Sequence, residues 1–156
     1  MTKVLVIDDQ RIAREYMENV VKNGGDYELV GSLSKADLAE TVCRRSQVDL
    51  VLMDVCTHGT KDGIDAAVQL RRLFPKLKMI VVTSMVEESY IKRAREAGVD
   101  TFIAKPLFKS RLISVFKEIV NGDKEEETKD VLADIAEMDY SGKRVLLVED
   151  NELNRE

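Results

Sequence analysis

A parallel α/β domain, with a central sheet flanked by helices on both faces, is the architecture this sequence predicts. Three observations carry that prediction. The runs VLVI (residues 4–7), LVLM (50–53) and MIVV (79–82) are apolar without alternation, as strands buried on both faces require. Stretches with apolar residues at helical spacing separate them, which is the rhythm of a parallel sheet with crossover helices. Each run also delivers a polar group at its carboxyl end: Asp8-Asp9, Asp54, Thr83 and, after TFIA, Lys105. In an open α/β sheet that edge is where ligands bind.

Taken in order, residues 3–7 form the first strand. Ile12, Tyr16, Met17, Val20 and Val21 recur as the inner stripe of a helix that Gly24-Gly25 stops. YELVGS is a second, shorter strand. Ser34, with Asp37 three residues on, is expected to cap a helix running to about Ser46. VDLVLMDV (48–55) contains the third strand and presents Asp54. A polar loop, CTHGTKDG, leads to a helix whose Ile64, Ala67, Val68 and Leu70 face inward, ended by Phe74-Pro75. Residues 79–83 give the fourth strand. A helix over roughly 87–97 ends at Gly98, in a left-handed cap, and the fifth strand spans 101–104. Leu112, Val115, Phe116 and Ile119 mark the last helix before Asn121-Gly122, where the domain closes.

Beyond residue 122 the composition changes. Residues 123–139 hold eight acids against two lysines, a local charge of −6, so the rest of the chain, with a total of −5, sums to about +1. No basic stripe appears, and no nucleic-acid partner is expected of this segment. Residues 123–140 read as an acidic linker, partly helical because Val131, Leu132, Ile135 and Met138 share a face. The segment SGKRVLLVEDNELNRE (141–156) then restarts the N-terminal pattern: RVLLVEDN matches KVLVIDDQ position for position in class.

A chain of 156 residues with 44% hydrophobic and 34% charged residues suits one α/β domain with a full core. Apolar runs of four residues span no bilayer, the first residues show no secretory pattern, and no membrane contact is expected. Cys43 and Cys56 lack ligand-like spacing, and His58 is the one histidine, which argues against zinc or a disulfide framework and for a reducing cytoplasm.

The strand-end residues suit phosphoryl transfer to a carboxylate. That chemistry is mostly positioning and neutralisation of the moving oxygens. Asp54 is the candidate nucleophile, which would become an acyl phosphate. Asp9, Asp54 and the Cys56 backbone carbonyl are candidate ligands for Mg²⁺, with Asp8 acting through water. Without a cation, three converging carboxylates would raise one another's pKa. Lys105 offers a fixed positive charge and Thr83 a hydroxyl to the phosphoryl oxygens.

IDDQ, LVLMD, VVTS and FIAKP, in this order, resemble the receiver domain of two-component response regulators over residues 2–122. The resemblance implies a flavodoxin-like doubly wound sheet of five parallel strands in the order 2-1-3-4-5. It implies Asp54 as phosphoacceptor, Asp8 and Asp9 as metal-binding acids, Thr83 as switch hydroxyl and Lys105 as phosphate-binding cation. Phe102 occupies the aromatic switch position, and Lys105-Pro106 the family's cis peptide. The implied function is a signalling switch fed by a histidine kinase or a histidine phosphotransfer domain, self-catalysed and so not an enzyme in the ordinary sense. The segment after the linker resembles the first strand of a second receiver, as in hybrid sensor histidine kinases, with Glu149-Asp150 as its acidic pair. The resemblance therefore implies that the chain is a piece of such a kinase, with the second receiver or the kinase core as further partners. The orphan strand Val145–Val148 is expected to pair with an edge of the domain or to make a dimer. Departures from the pattern lie in the loop Cys56-Thr57-His58-Gly59, where Met-Pro is usual. Cys56 and Met85 flank the site without orienting water, which predicts a long-lived phosphorylated form.

Two other functions compete with this reading. A pseudo-receiver would bind partners regardless of phosphorylation, against which the full Asp, Thr and Lys set argues. A phosphatase of the haloacid dehalogenase type needs Asp-x-Asp after the first strand, but Gln10 stands two residues after Asp8.

Overall fold

The computed structural model describes residues 1–54, 63–84 and 88–122. Its strands are β1 (Thr2–Ile7), β2 (Tyr27–Leu33), β3 (Leu50–Met53), β4 (Lys78–Thr83) and β5 (Thr101–Ala104). The helices are α1 (Arg11–Lys22), α2 (Ala39–Ser46), α3 (Gly63–Leu73), α4 (Glu88–Glu96) and α5 (Lys109–Asn121). The strands pair in parallel in the order β2-β1-β3-β4-β5, the doubly wound arrangement expected from the resemblance.

Alternation along the buried strands divides the interior into two layers. Val4, Val6, Leu50, Leu52, Ile80 and Val82 face α1 and α5, where Met17, Val20, Leu112 and Phe116 meet them. Leu5, Ile7, Val51, Met53, Met79 and Val81 face the other way, toward α2, α3 and α4. Each fully buried Leu, Ile or Val contributes about 1.5–3 kcal/mol. Because both faces are covered, no polar position interrupts β3, whose four residues are all buried. Burial also pushes the Cys43 thiol up to about 11, so it behaves as a small core group.

Several local expectations need correction. Met17, Val20 and Val21 are buried, but Ile12 is 84% and Tyr16 36% exposed. At 3.6 residues per turn, Tyr16 lies about 90° and Ile12 about 130° from the centre of the buried stripe. Val68 is 52% exposed, and Ala66 takes the inward place beside Ile64, Ala67 and Leu70. Ser34 does not cap α2. A 3-10 turn, Ala36–Leu38, precedes that helix, and neither start carries a side-chain cap. The same helix ends in a left-handed residue that is not glycine, Gln47 at φ 50°. On β2, Leu29 pairs with Val4 and Gly31 with Leu5, leaving Val30 as an extra residue. Gly31 sits where a Cβ would come within 2.9 Å of Leu5 Cδ1.

Among the described residues no helix is long and apolar enough to cross a membrane. Contacts divide the chain into Met1–Asp123 and Lys124–Glu156. The acidic linker, the second acidic pair Glu149-Asp150 and the orphan strand lie outside the described residues, as do Cys56, His58 and Met85.

Candidate functional site

In this strand order the chain leaves β1 toward β2 and returns to β3 on the opposite side of β1. The crossovers diverge there and open a crevice beyond the carboxyl ends of β1 and β3. The ladder continues past both strand ends: the Asp8 N–H donates to the Leu33 carbonyl at 3.0 Å and the Asp54 N–H to the Ile7 carbonyl at 2.9 Å. These bonds hold the backbone that carries the acids. Farther along the edge, the Lys105 N–H donates to the Thr83 carbonyl at 2.9 Å, fixing β5 against β4 where their polar groups begin.

Side chains far apart in sequence meet in this crevice. Asp8, Asp9 and Asp54 each place a carboxylate oxygen so that all three lie within 4.8 Å of one another. Lys105 Nζ donates to Asp8 Oδ2 at 2.9 Å and to Asp54 Oδ2 at 2.8 Å. Asp8 is wholly buried and Asp54 nearly so; Thr83, at the end of β4, is buried as well. The Lys105–Pro106 peptide is cis. Phe102 is partly buried and packs against the layer formed with α2, α3 and α4. The structure thus gathers Asp8, Asp9, Asp54 and Lys105 into one pocket, puts Thr83 on the same sheet edge, and seats Phe102 one strand away. Cys56, the expected carbonyl ligand, lies outside the described residues.

The electrostatics of the pocket are those of a partly neutralised acid cluster. Burial holds the Asp8 carboxyl above its usual range, although hydrogen bonds from Lys105 and the Gln10 N–H work in the opposite direction. Burial also disfavours the Lys105 ammonium, but its bonds to Asp54 and Asp8 outweigh that and hold its pKa above the ordinary lysine value. One ammonium therefore serves two buried carboxylates, with a third beside them. The donor set is carboxylate oxygen throughout, which fits a hard dication such as Mg²⁺ and suits softer metals poorly.

Two features escaped the sequence reading. Arg14 Nη1 donates to the Asp8 carbonyl at 2.6 Å. The signal available was a basic residue in the first turns of a helix, against the dipole. A groove of about 400 Å³ beside Lys105 is lined by Ile12, Ala13, Tyr16, Pro106 and Leu107, so the two misassigned apolar residues of α1 flank the pocket instead of the core.

The model of the response regulator receiver domain family matches residues 4–117. Response regulator protein VraR of Staphylococcus epidermidis is 28% identical over 121 residues, 78% of this chain and 57% of the relative. VraR of Staphylococcus aureus is 32% identical over 103 residues, 66% of this chain and 49% of the relative. The chain spans about half the length of these curated relatives. Among solved structures, the signal receiver domain of the putative response regulator NarL from Mycobacterium tuberculosis superposes with a TM-score of 0.72 at 20% identity, covering 78% of this chain and 97% of that one. A DNA-binding response regulator of the LuxR family from Staphylococcus aureus gives 0.71 at 21%, covering 76% and 98%.

These similarities correct the expected partners. A hybrid-kinase parent, with its kinase core or second receiver as partner and no nucleic acid, is not what the relatives are: they are response regulators, and one similar structure is a DNA-binding one. The charge argument failed because it weighed this segment's own surface. A receiver need not be the part of a regulator that touches DNA. What the fold, the crevice and the match over residues 4–117 establish is that this chain belongs to the response regulator receiver domain family.

Proposed function

We propose that Asp54 accepts a phosphoryl group and that the domain changes conformation when it does. The convergence of Lys105 on Asp8 and Asp54, with Asp9 alongside, is the observation that supports this reading most strongly. In the proposed step an Asp54 carboxylate oxygen attacks phosphorus, and the bond from phosphorus to a phosphohistidine nitrogen of the donor breaks. The imidazole leaves with the electron pair and takes up a proton. Asp8, Asp9 and Asp54, with the Cys56 carbonyl, would hold Mg²⁺, which when bound supplies positive charge to the phosphoryl oxygens. Lys105, already hydrogen-bonded to the acceptor carboxylate, would move one bond to a phosphoryl oxygen. Thr83 would donate its hydroxyl to another and be drawn inward, letting Phe102 fill the space vacated, which biases the face of α4, β5 and α5.

The same reading takes residues 1–122 as the receiver and treats nucleic acid as a partner of the complete regulator, contacted elsewhere in the polypeptide. Acetyl phosphate with Mg²⁺, followed by intact mass, tests the core of it. One added phosphoryl group is expected, lost in Asp54→Asn and lost on chelation with EDTA. A chain that takes up none under these conditions would be a phosphorylation-independent binding module.

A further inference from the structure

Arg14 reaches the acidic pocket from a side that none of the roles above uses. It is the fourth residue of α1, close to the positive end of the helix dipole, where a cation is disfavoured. Its guanidinium is nevertheless partly buried and donates to the main-chain carbonyl of Asp8 at 2.6 Å. That carbonyl belongs to the peptide joining Asp8 to Asp9. The other handles of this turn are already engaged: the Asp8 N–H on Leu33, and the Asp8 carboxylate accepting the Gln10 N–H at 2.8 Å.

Glu18, one turn along α1, accepts a hydrogen bond from the Ser32 hydroxyl of β2 and pairs with Lys22 at 3.3 Å. The Ser32 bond keeps the Glu18 carboxyl below its usual range, and the charge of Arg14 adds to that effect. A carboxylate anchored to the edge strand thus puts negative charge on the same helix as Arg14.

We propose that Arg14 is a positioning residue for the divalent cation site, acting through the Asp8–Asp9 peptide. Rotating that peptide plane would redirect the side chain of Asp9 and spread the carboxylates. Mg²⁺ demands near-ideal octahedral geometry and tolerates such spreading poorly. Groups that orient metal ligands without touching the metal commonly govern affinity by one to two orders of magnitude. The inference rests on reading Asp8, Asp9 and Asp54 as the cation site.

Calorimetric titration of Mg²⁺ into the full chain tests it, comparing wild type, Arg14→Met, Arg14→Lys and Asp9→Asn. Arg14→Met is expected to weaken Mg²⁺ about tenfold. Arg14→Lys, which keeps a donor and a charge, should recover most of that loss. Phosphorylation of Arg14→Met by acetyl phosphate should return to near the wild-type level once Mg²⁺ saturates. Thermal unfolding in EDTA reports any general loss of fold separately. If Arg14→Met does not fold, Arg14→Gln, too short to keep the bond to the Asp8 carbonyl, is expected to weaken Mg²⁺ binding in its place, and wild-type affinity in that variant would overturn the proposal. Arg14→Met binding Mg²⁺ as tightly as wild type would overturn the proposal while leaving the site intact. Lysine and methionine variants equally weakened, with equal loss of stability in EDTA, would overturn it too, as a purely structural effect. Wild type binding no better than Asp9→Asn would overturn the cation site and this inference together.

Discussion

Asp8 combines complete burial, one shared ammonium and two neighbouring acids. Desolvation dominates its environment, and its folded-state pKa is raised in spite of Lys105. A raised carboxyl pKa means that the folded chain binds this proton more tightly than the unfolded one. The metal-free protein must then lose stability as pH climbs from the ordinary carboxylate range through the raised value. Asp8→Asn removes that loss, and the Asn side-chain carbonyl can still accept the Gln10 N–H. Lys105 keeps its bond to Asp54. In urea unfolding at neutral pH with EDTA, Asp8→Asn is expected to be more stable than wild type. The gain should shrink on acidification toward the ordinary carboxylate range. A less stable variant at neutral pH would show that Lys105 already compensates Asp8 in full. This cost was readable in the sequence only as a pattern: two acids after an apolar run say that carboxylates stand at a strand end, but not which one goes under.

At the scale of single elements, the continuous apolar strands were legible, but β2, expected to be short, is the longest at seven residues, and some helix faces were not legible. Runs such as LVLM identify themselves because both faces are covered, whereas a helical stripe has a centre and edges that spacing alone does not locate. On α3 the sequence counted Val68 with Leu70 as inward, yet Val68 is 52% and Leu70 1% exposed. The two make a paired test. Val68→Lys should change stability by less than about 0.5 kcal/mol. Leu70→Ala, emptying a filled site over β3 and β4, should cost about 2–5 kcal/mol. Equal effects in thermal or urea unfolding would mean that α3 packs in a different rotation. What anchors the far end of α3 was also invisible in sequence. Arg71 donates to the carbonyls of Pro75, Leu77 and Gly98 and to Asp100, and Asp100 in turn accepts the Met79 N–H. No periodicity distinguishes this arginine from Arg72 beside it, because its partners lie in two turns that meet only in the fold.

For the whole molecule, the strand order was legible through the family resemblance, and the carboxylates that follow β1 and β3 meet because those strands are neighbours. Arg14 was hard to single out, since its target is a backbone carbonyl and its one sequence signal, a basic residue early in α1, is shared with Arg11. The same geometry links the cation to the stability of the whole domain. The unfolded chain holds Asp8-Asp9 and Asp54 far apart, so a dication gains its full ligand set only in the folded state. Ligand that binds the folded state alone stabilises it by about 2.7 kcal/mol at one hundred times its dissociation constant. For a domain of this size that corresponds to a rise in Tm of about 10 °C. Mg²⁺ added to the full chain is expected to raise Tm progressively, and NaCl at matched ionic strength to have little effect, because the buried part of the cluster is poorly screened. Asp9→Asn and Asp54→Asn should each abolish most of the rise while leaving the metal-free Tm the same or higher. If Asp9→Asn retained the full Mg²⁺ response, the cation would be acting elsewhere on the surface, and the carboxylates gathered at this sheet edge would need another explanation.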